Sequence, residues 1–175
     1  LAIQYELNIL VVGGTASGKT SFLNTLMPFI PPNQRVISIE DTREINLPKF
    51  LQWIPFSSRE SNPEGKGGVS MLDLLINALR MRPDRIIVGE IRRSKEVEVM
   101  FEAIRTGHSA YATFHADSAH QAYQRLINPP ISLPESMLSA LHLVVVQYRH
   151  RRLGIRRTIE VGEIVPISAI ENKMN

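Results

Sequence analysis

Apolar and polar positions along this chain change period repeatedly. Short, mostly apolar runs that fit strands lie at Ile9 to Val12, Val36 to Glu40, Arg85 to Val88 and Ala110 to Phe114. Between them, apolar residues recur three and four positions apart, which predicts helices from Gly18 to about Leu26 and near Met71 to Leu79, Lys95 to Arg105 and Ser118 to Ile127. Met71, Leu72, Leu74, Leu75, Ala78 and Leu79 make one helical stripe, and Val97, Met100, Phe101 and Ile104 another; both read as core. Strands alternating with helices predict a mostly parallel sheet covered by helices. Two late strands, Leu143 to Tyr148 and Thr158 to Val165, read as a hairpin turning near Gly154. Pro28, Pro31 and Pro32 end the first helix, because proline lacks the N–H a helix needs. The stretch Pro55 to Ser70, rich in proline, glycine and serine, reads as a mobile loop.

Composition narrows the class. At 175 residues the chain is long enough for one sizeable core. It has no cysteine, which excludes disulfides and thiolate metal sites. No stretch approaches the roughly 18 apolar residues of a membrane span, and the N-terminus lacks the layout of a signal peptide. The chain therefore reads as soluble, with membrane contact only peripheral, and the lack of cysteine allows a reducing compartment. Net charge is +3, yet Arg149, Arg151, Arg152, Arg156 and Arg157 alone contribute more than that, so the basic excess is local to the hairpin. A solvated hairpin tip is the favoured reading, with a patch for acidic partners, lipid headgroups or nucleic acid as the alternative.

One motif changes the picture. Gly13, Gly14, Thr15, Ala16, Ser17, Gly18, Lys19 and Thr20, followed by Ser21, fit the phosphate-loop pattern, and they stand between a strand and a helix. In such a loop successive backbone N–H groups surround a β-phosphate at the helix N-terminus. Lys19 would neutralise β- and γ-phosphate oxygens, and Thr20 would place its hydroxyl on Mg²⁺. Ligands of parallel sheets bind beyond the carboxyl ends of the strands, so further chemistry is expected there. Glu40 and Asp41 end one strand, with Arg43 and Glu44 following; Gly89 and Glu90 end another; His115 ends a third. Hydrolysis of a nucleoside triphosphate needs a carboxylate to orient and deprotonate water, an acidic group near the metal and a polar sensor. Glu40, Glu90 and His115 suit those roles. Asp41 and Glu44 are equally well read as exposed loop charges. His120, His142 and His150 read as structural, and zinc is not expected at His108 and His115, which bracket one strand without further ligands nearby.

These boxes carry a resemblance. The phosphate loop, the acidic run Ile39 to Glu44, the segment Arg82 to Arg92 and the histidine box Thr106 to Ala116 resemble the secretion-ATPase superfamily, which drives type II and type IV secretion, type IV pili and archaella, and most of all its archaeal branch. The resemblance implies a three-layer α/β P-loop NTPase with a RecA-like core over 1–175, binding ATP or ADP with Mg²⁺ and working as a hexameric ring that acts on a membrane platform protein. It implies roles in catalysis and magnesium binding for Glu40 and Glu90, with His115 sensing the γ-phosphate and His108 organising its box. It leaves open which glutamate is the general base. Gly89 stands where many phosphate-loop enzymes have aspartate. Arg93 and Lys95 stand where the family commonly has Asp and Glu. Arg92, Arg105 and Arg125 are candidates for contacts between ring subunits, with a solvated charge the preferred reading of any one of them. Because family enzymes carry a further N-terminal domain and C-terminal helices, the chain reads as a core fragment or truncated paralogue with weak turnover on its own. A RecA-like nucleic-acid translocase and a nonhydrolytic nucleotide-binding module are the alternatives, and no direct nucleic-acid partner is expected.

Overall fold

Apolar runs without a polar side need cover on both faces, and the computed structural model, which describes residues 1–165, supplies it. In chain order the strands are β1 (Ile9–Gly13), β2 (Arg35–Glu40), β3 (Gln52–Ser57), β4 (Arg85–Val88), β5 (Ser109–Phe114), β6 (Leu143–His150) and β7 (Ile155–Glu163). The helices are α1 (Lys19–Leu26), α2 (Met71–Leu79), α3 (Ser94–Arg105), α4 (Ala119–Ile127) and α5 (Glu135–Leu138), with a 3₁₀ turn at Met27–Phe29. The strands form one sheet in the order β3-β2-β4-β5-β1-β6-β7. All neighbouring pairs are parallel except β6 and β7, which are antiparallel. The mostly parallel sheet and late hairpin expected from the sequence are both present. Positions 166–175 of the expected single domain lie outside the described residues.

Alternate residues of each central strand enter opposite layers. Leu10, Val12, Ile39, Val88 and Ala112 pack with Leu75, Val97, Phe101 and Ala122 from α2, α3 and α4. Ile9, Val11, Val36, Ile87 and Tyr111 pack instead with Leu23 of α1, Met27, Ile30, Leu47 and Leu51. Helix starts are fixed locally. Ser70 Oγ accepts from the Asp73 N–H, and Asp73 Oδ2 accepts from the Ser70 N–H, which opens α2 as a capping box. Ser118 Oγ accepts from the Gln121 N–H and opens α4. Glu96 Oε2 reaches back to the N–H groups of Arg92 and Arg93 and opens α3.

The structure departs from the sequence reading in three places. Gln52–Ser57 is a strand, so the expected loop from Pro55 begins only after Ser57. Proline is tolerated because β3 is an edge strand. The remaining loop is tied by a bridge between Arg59 and Val69, and Arg59 Nε donates to the Gly67 carbonyl at 2.7 Å. The short α5 was not expected, because four residues carry no readable period. The last strand starts at Ile155 rather than Thr158, and its register with β6 shifts between Val146 and Gln147.

Under the sheet, Arg85 is fully buried at the start of β4. It donates to the Ile3 carbonyl at 2.6 Å, to Gln34 Oε1 and to the Tyr111 hydroxyl, holding the N-terminal turn against the core. Inside the sheet, β1 sits where the chain changes direction across it: β2 to β5 fill one side of β1, and β6 and β7 the other. Such a switch point leaves a crevice at the carboxyl ends of the strands. Phe101 is wholly buried in the α3 layer, so Phe101→Ala is expected to lower unfolding free energy by about 3–5 kcal/mol in urea titration, without changing the fold.

Candidate functional site

Gly18 caps α1 in the left-handed region at φ 97°, where a Cβ would strain the turn. The loop before it, the acidic ends of β2 and β4 and the polar end of β5 meet in one cleft of about 590 Å³. Thr15, Ala16, Ser17, Gly18, Lys19, Thr20 and Ser21 line it, together with Glu40, Asp41, Glu44, Glu90, Arg92, Thr113 and His115. Gly13 and Gly14 turn the backbone into the loop without lining that cleft. Glu40, Glu90, Lys19 and His115, which the sequence singled out, are therefore brought together. His108 is not: it lies at the other end of β5, its Nδ1 3.1 Å from the Ala103 carbonyl at the close of α3. His142 accepts from the Asn8 N–H through Nδ1, a structural role.

Lys19 is buried and donates through Nζ to the carbonyls of Gly13 at 3.0 Å and Gly14 at 3.1 Å. Burial pushes its pKa below the ordinary lysine value, and the charges of Glu90 and Glu44 partly oppose that.

The two glutamates differ in surroundings. Glu40 is 2% exposed, and its Oε1 accepts from the N–H groups of Glu44 and Ile45, both at 2.9 Å, which folds the segment after β2 over the cleft. Its Oε2 is buried without a hydrogen-bond partner, and so is Ser17 Oγ. Glu90 is engaged through both oxygens: His115 Nε2 lies 2.7 Å from Oε1, and Arg92 donates to Oε2 at 2.5 and 3.0 Å. Arg92 also pairs with Asp41 at 3.2 Å, and Ser58 donates to Asp41 at 2.6 Å. Arg125 donates to the His115 carbonyl, and its guanidinium carbon lies 4.9 Å from the centre of the Phe114 ring, so it braces the strand end that carries His115. Arg105 lies 3.8 Å from Glu102 on the α3 surface. Lys95 pairs with Glu98 at 2.7 Å, which gives its reversed charge a local partner.

Gly89 has a steric reason. A Cβ there would stand 2.9 Å from Glu40 Cγ, so the Glu40 side chain occupies the space that an aspartate on β4 would need. The Gly89 carbonyl accepts from Thr113 Oγ1 at 2.5 Å, which links β4 to β5 at the cleft floor. Among the described residues no group of three His, Cys, Asp or Glu side chains could cage a metal alone. The unpartnered Glu40 Oε2, in the cleft that Thr20 also lines, is a hard oxygen acceptor fitted to the waters that Mg²⁺ keeps when phosphates supply its other ligands.

Sequence reasoning missed Arg156, which β7 delivers to the rim of this cleft. Its place in the arginine-rich hairpin was visible; its contact with the loop was not.

A strand bearing a phosphate loop, separated by one strand from β4, beyond whose carboxyl end stands the acidic Glu90, is the architecture of a P-loop NTPase. The chain belongs to the Type II/IV secretion system protein family, which matches residues 2–158. An uncharacterized protein of the archaeon Methanocaldococcus jannaschii is 41% identical over 167 residues, covering 94% of this chain and 61% of the relative. The VirB11 ATPase of the Brucella suis type IV secretion system, solved in complex with sulphate, superposes with a TM-score of 0.76 at 30% identity over 93% of this chain and 49% of that one. The pilus retraction motor PilT, solved with bound ADP, gives a TM-score of 0.72 at 30% identity over 95% of this chain and 49% of that one. In each case the chain spans less than two thirds of the relative's own length.

Placing a methyl group at Gly89 must move Glu40 and release the amides of Glu44 and Ile45. Gly89→Ala is expected to cost about 1–3 kcal/mol of stability. In a Glu40→Ala background most of that cost should vanish, a non-additivity that urea unfolding of the four variants of the cycle would read.

Proposed function

We propose that this chain is the ATP-binding and ATP-hydrolysing core of a motor for protein secretion or for pilus or archaellum assembly. The observation that carries the reading is the pair of buried, unpartnered oxygens, Ser17 Oγ and Glu40 Oε2, in the cleft that the phosphate loop opens. Buried polar atoms are ordinarily hydrogen-bonded, and leaving them unmatched costs stability unless a ligand uses them. The solved neighbours, one described as an ATPase and the other a motor with ADP bound, support the assignment.

The residues divide the work as follows. Backbone N–H groups from Gly14 to Lys19 hold the β-phosphate, and Lys19 exchanges the Gly13 and Gly14 carbonyls for phosphate oxygens. Thr20, with Glu40 and Glu90 nearby, would hold Mg²⁺, which when bound neutralises charge on the β- and γ-phosphate oxygens. Glu40 Oε2, free of partners, accepts the proton of the attacking water. Glu90, whose oxygens are both engaged, instead positions His115 toward the γ-phosphate. The intact protein forms a hexameric ring, peripheral to the membrane and acting on a platform protein within it. No helix among the described residues is long and apolar enough to cross a membrane.

In the intact protein, Lys19→Ala is expected to lower phosphate release by roughly 10²- to 10³-fold, to background; turnover at the wild-type rate would overturn the assignment of Lys19. Nucleotide affinity should also fall on the alkaline side. Binding requires the ammonium form of Lys19, and burial favours the neutral form, so the fall should begin below the ordinary lysine pKa. Calorimetry from neutral pH upward should also find proton uptake on binding in that range.

A further inference from the structure

The β6–β7 hairpin contributes one side chain to the cleft that the chemistry above leaves unused. Arg156 crosses from β7 to the phosphate loop, where its Nε donates to the Ala16 carbonyl at 2.9 Å. Its Cδ lies 3.3 Å from the point a Gly18 Cβ would occupy. Of the five arginines around the hairpin tip, Arg156 is the one that lines this cleft. Ala16 is a non-glycine residue at φ 58°, a conformation its Cβ disfavours, so the contact is made to a strained point of the loop.

A single neutral carbonyl is a modest partner for a guanidinium, which carries five donors in a planar fork. Among the described residues Arg156 forms no ion pair. Phosphate is the chemistry that matches what remains: two oxygens can meet the fork side by side, and charged hydrogen bonds are about twice as strong as neutral ones. We infer that Arg156 is a phosphate-contacting residue supplied from within the same chain, holding the nucleotide's diphosphate from the hairpin side. This rests on the nucleotide reading above. Ala16 and Gly18 belong to the part of the loop that surrounds the β-phosphate, whereas Glu90 and His115 stand at the other strand ends, toward the γ-phosphate. The contact therefore falls on the α- and β-phosphates, which ATP and ADP share. It also makes the hairpin part of the site, so that nucleotide occupancy and hairpin position are linked.

The test is calorimetry of MgATP, MgADP and magnesium pyrophosphate on the full chain as wild type, R156Q and R156K, with melting temperatures measured without ligand. We expect R156Q to bind all three about tenfold more weakly with an unchanged melting temperature, and R156K to recover part of the loss. Equal affinities for wild type and R156Q would overturn the inference, and so would a loss confined to MgATP. A loss that follows a fall in melting temperature, with R156K no better than R156Q, would also overturn it, since Arg156 would then only brace the loop. Failure of the wild type itself to take up any of the three ligands would instead remove the nucleotide reading on which the inference stands.

Discussion

A parallel sheet cannot be joined by tight turns, and that constraint organises this molecule. Each parallel connection must recross the sheet, which puts helices and loops on its faces and brings the carboxyl ends of the strands out along one edge. With β1 at the switch in strand order, the ends of β2, β4 and β5 lie on one side of the phosphate loop and the hairpin on the other. Lys19, Glu40, Glu90 and His115 are far apart in the chain, and they share a cleft because all of them stand at or just after strand ends.

Within that edge, Gly89 and Glu40 divide one volume between two strands. The acidic group reaches the cleft from β2, and β4 gives up its side chain to make room. A carboxylate so enclosed would ordinarily be destabilising. Here two backbone amides satisfy one oxygen and fix the following segment, while the other oxygen stays unmatched. Local instability at a point otherwise held rigid is the signature of a site shaped for something other than stability.

What could be read from the sequence follows from where the physics is local. The runs in β1, β4 and β5 declared themselves because both faces are buried, and the glycine spacing of the loop declared its own turn. β3 was hidden by Pro55, which reads as a loop residue until the strand is known to lie at the sheet edge. The anchoring of Glu40 on the Glu44 and Ile45 amides was illegible because backbone donors leave no trace in side-chain pattern. His108 and His115 looked alike in sequence, yet opposite ends of one strand give them unrelated surroundings. Arg156 was visible only as one charge among five, since contact with Ala16 depends on the tertiary path of the hairpin.

That path turns on a small irregularity. Val146 faces Glu160, but Gln147 faces Thr158, so Ile159 is an extra residue in the ladder and everything nearer the tip is offset by one. Side chains in a strand alternate between faces, and the offset places Arg156 rather than Arg157 opposite Arg149. Which of two adjacent, chemically identical arginines stands opposite Arg149 is thus decided by counting residues: a regular ladder running on from Val146 and Glu160 without the offset would set Arg157 there instead, with the composition of the basic tip untouched.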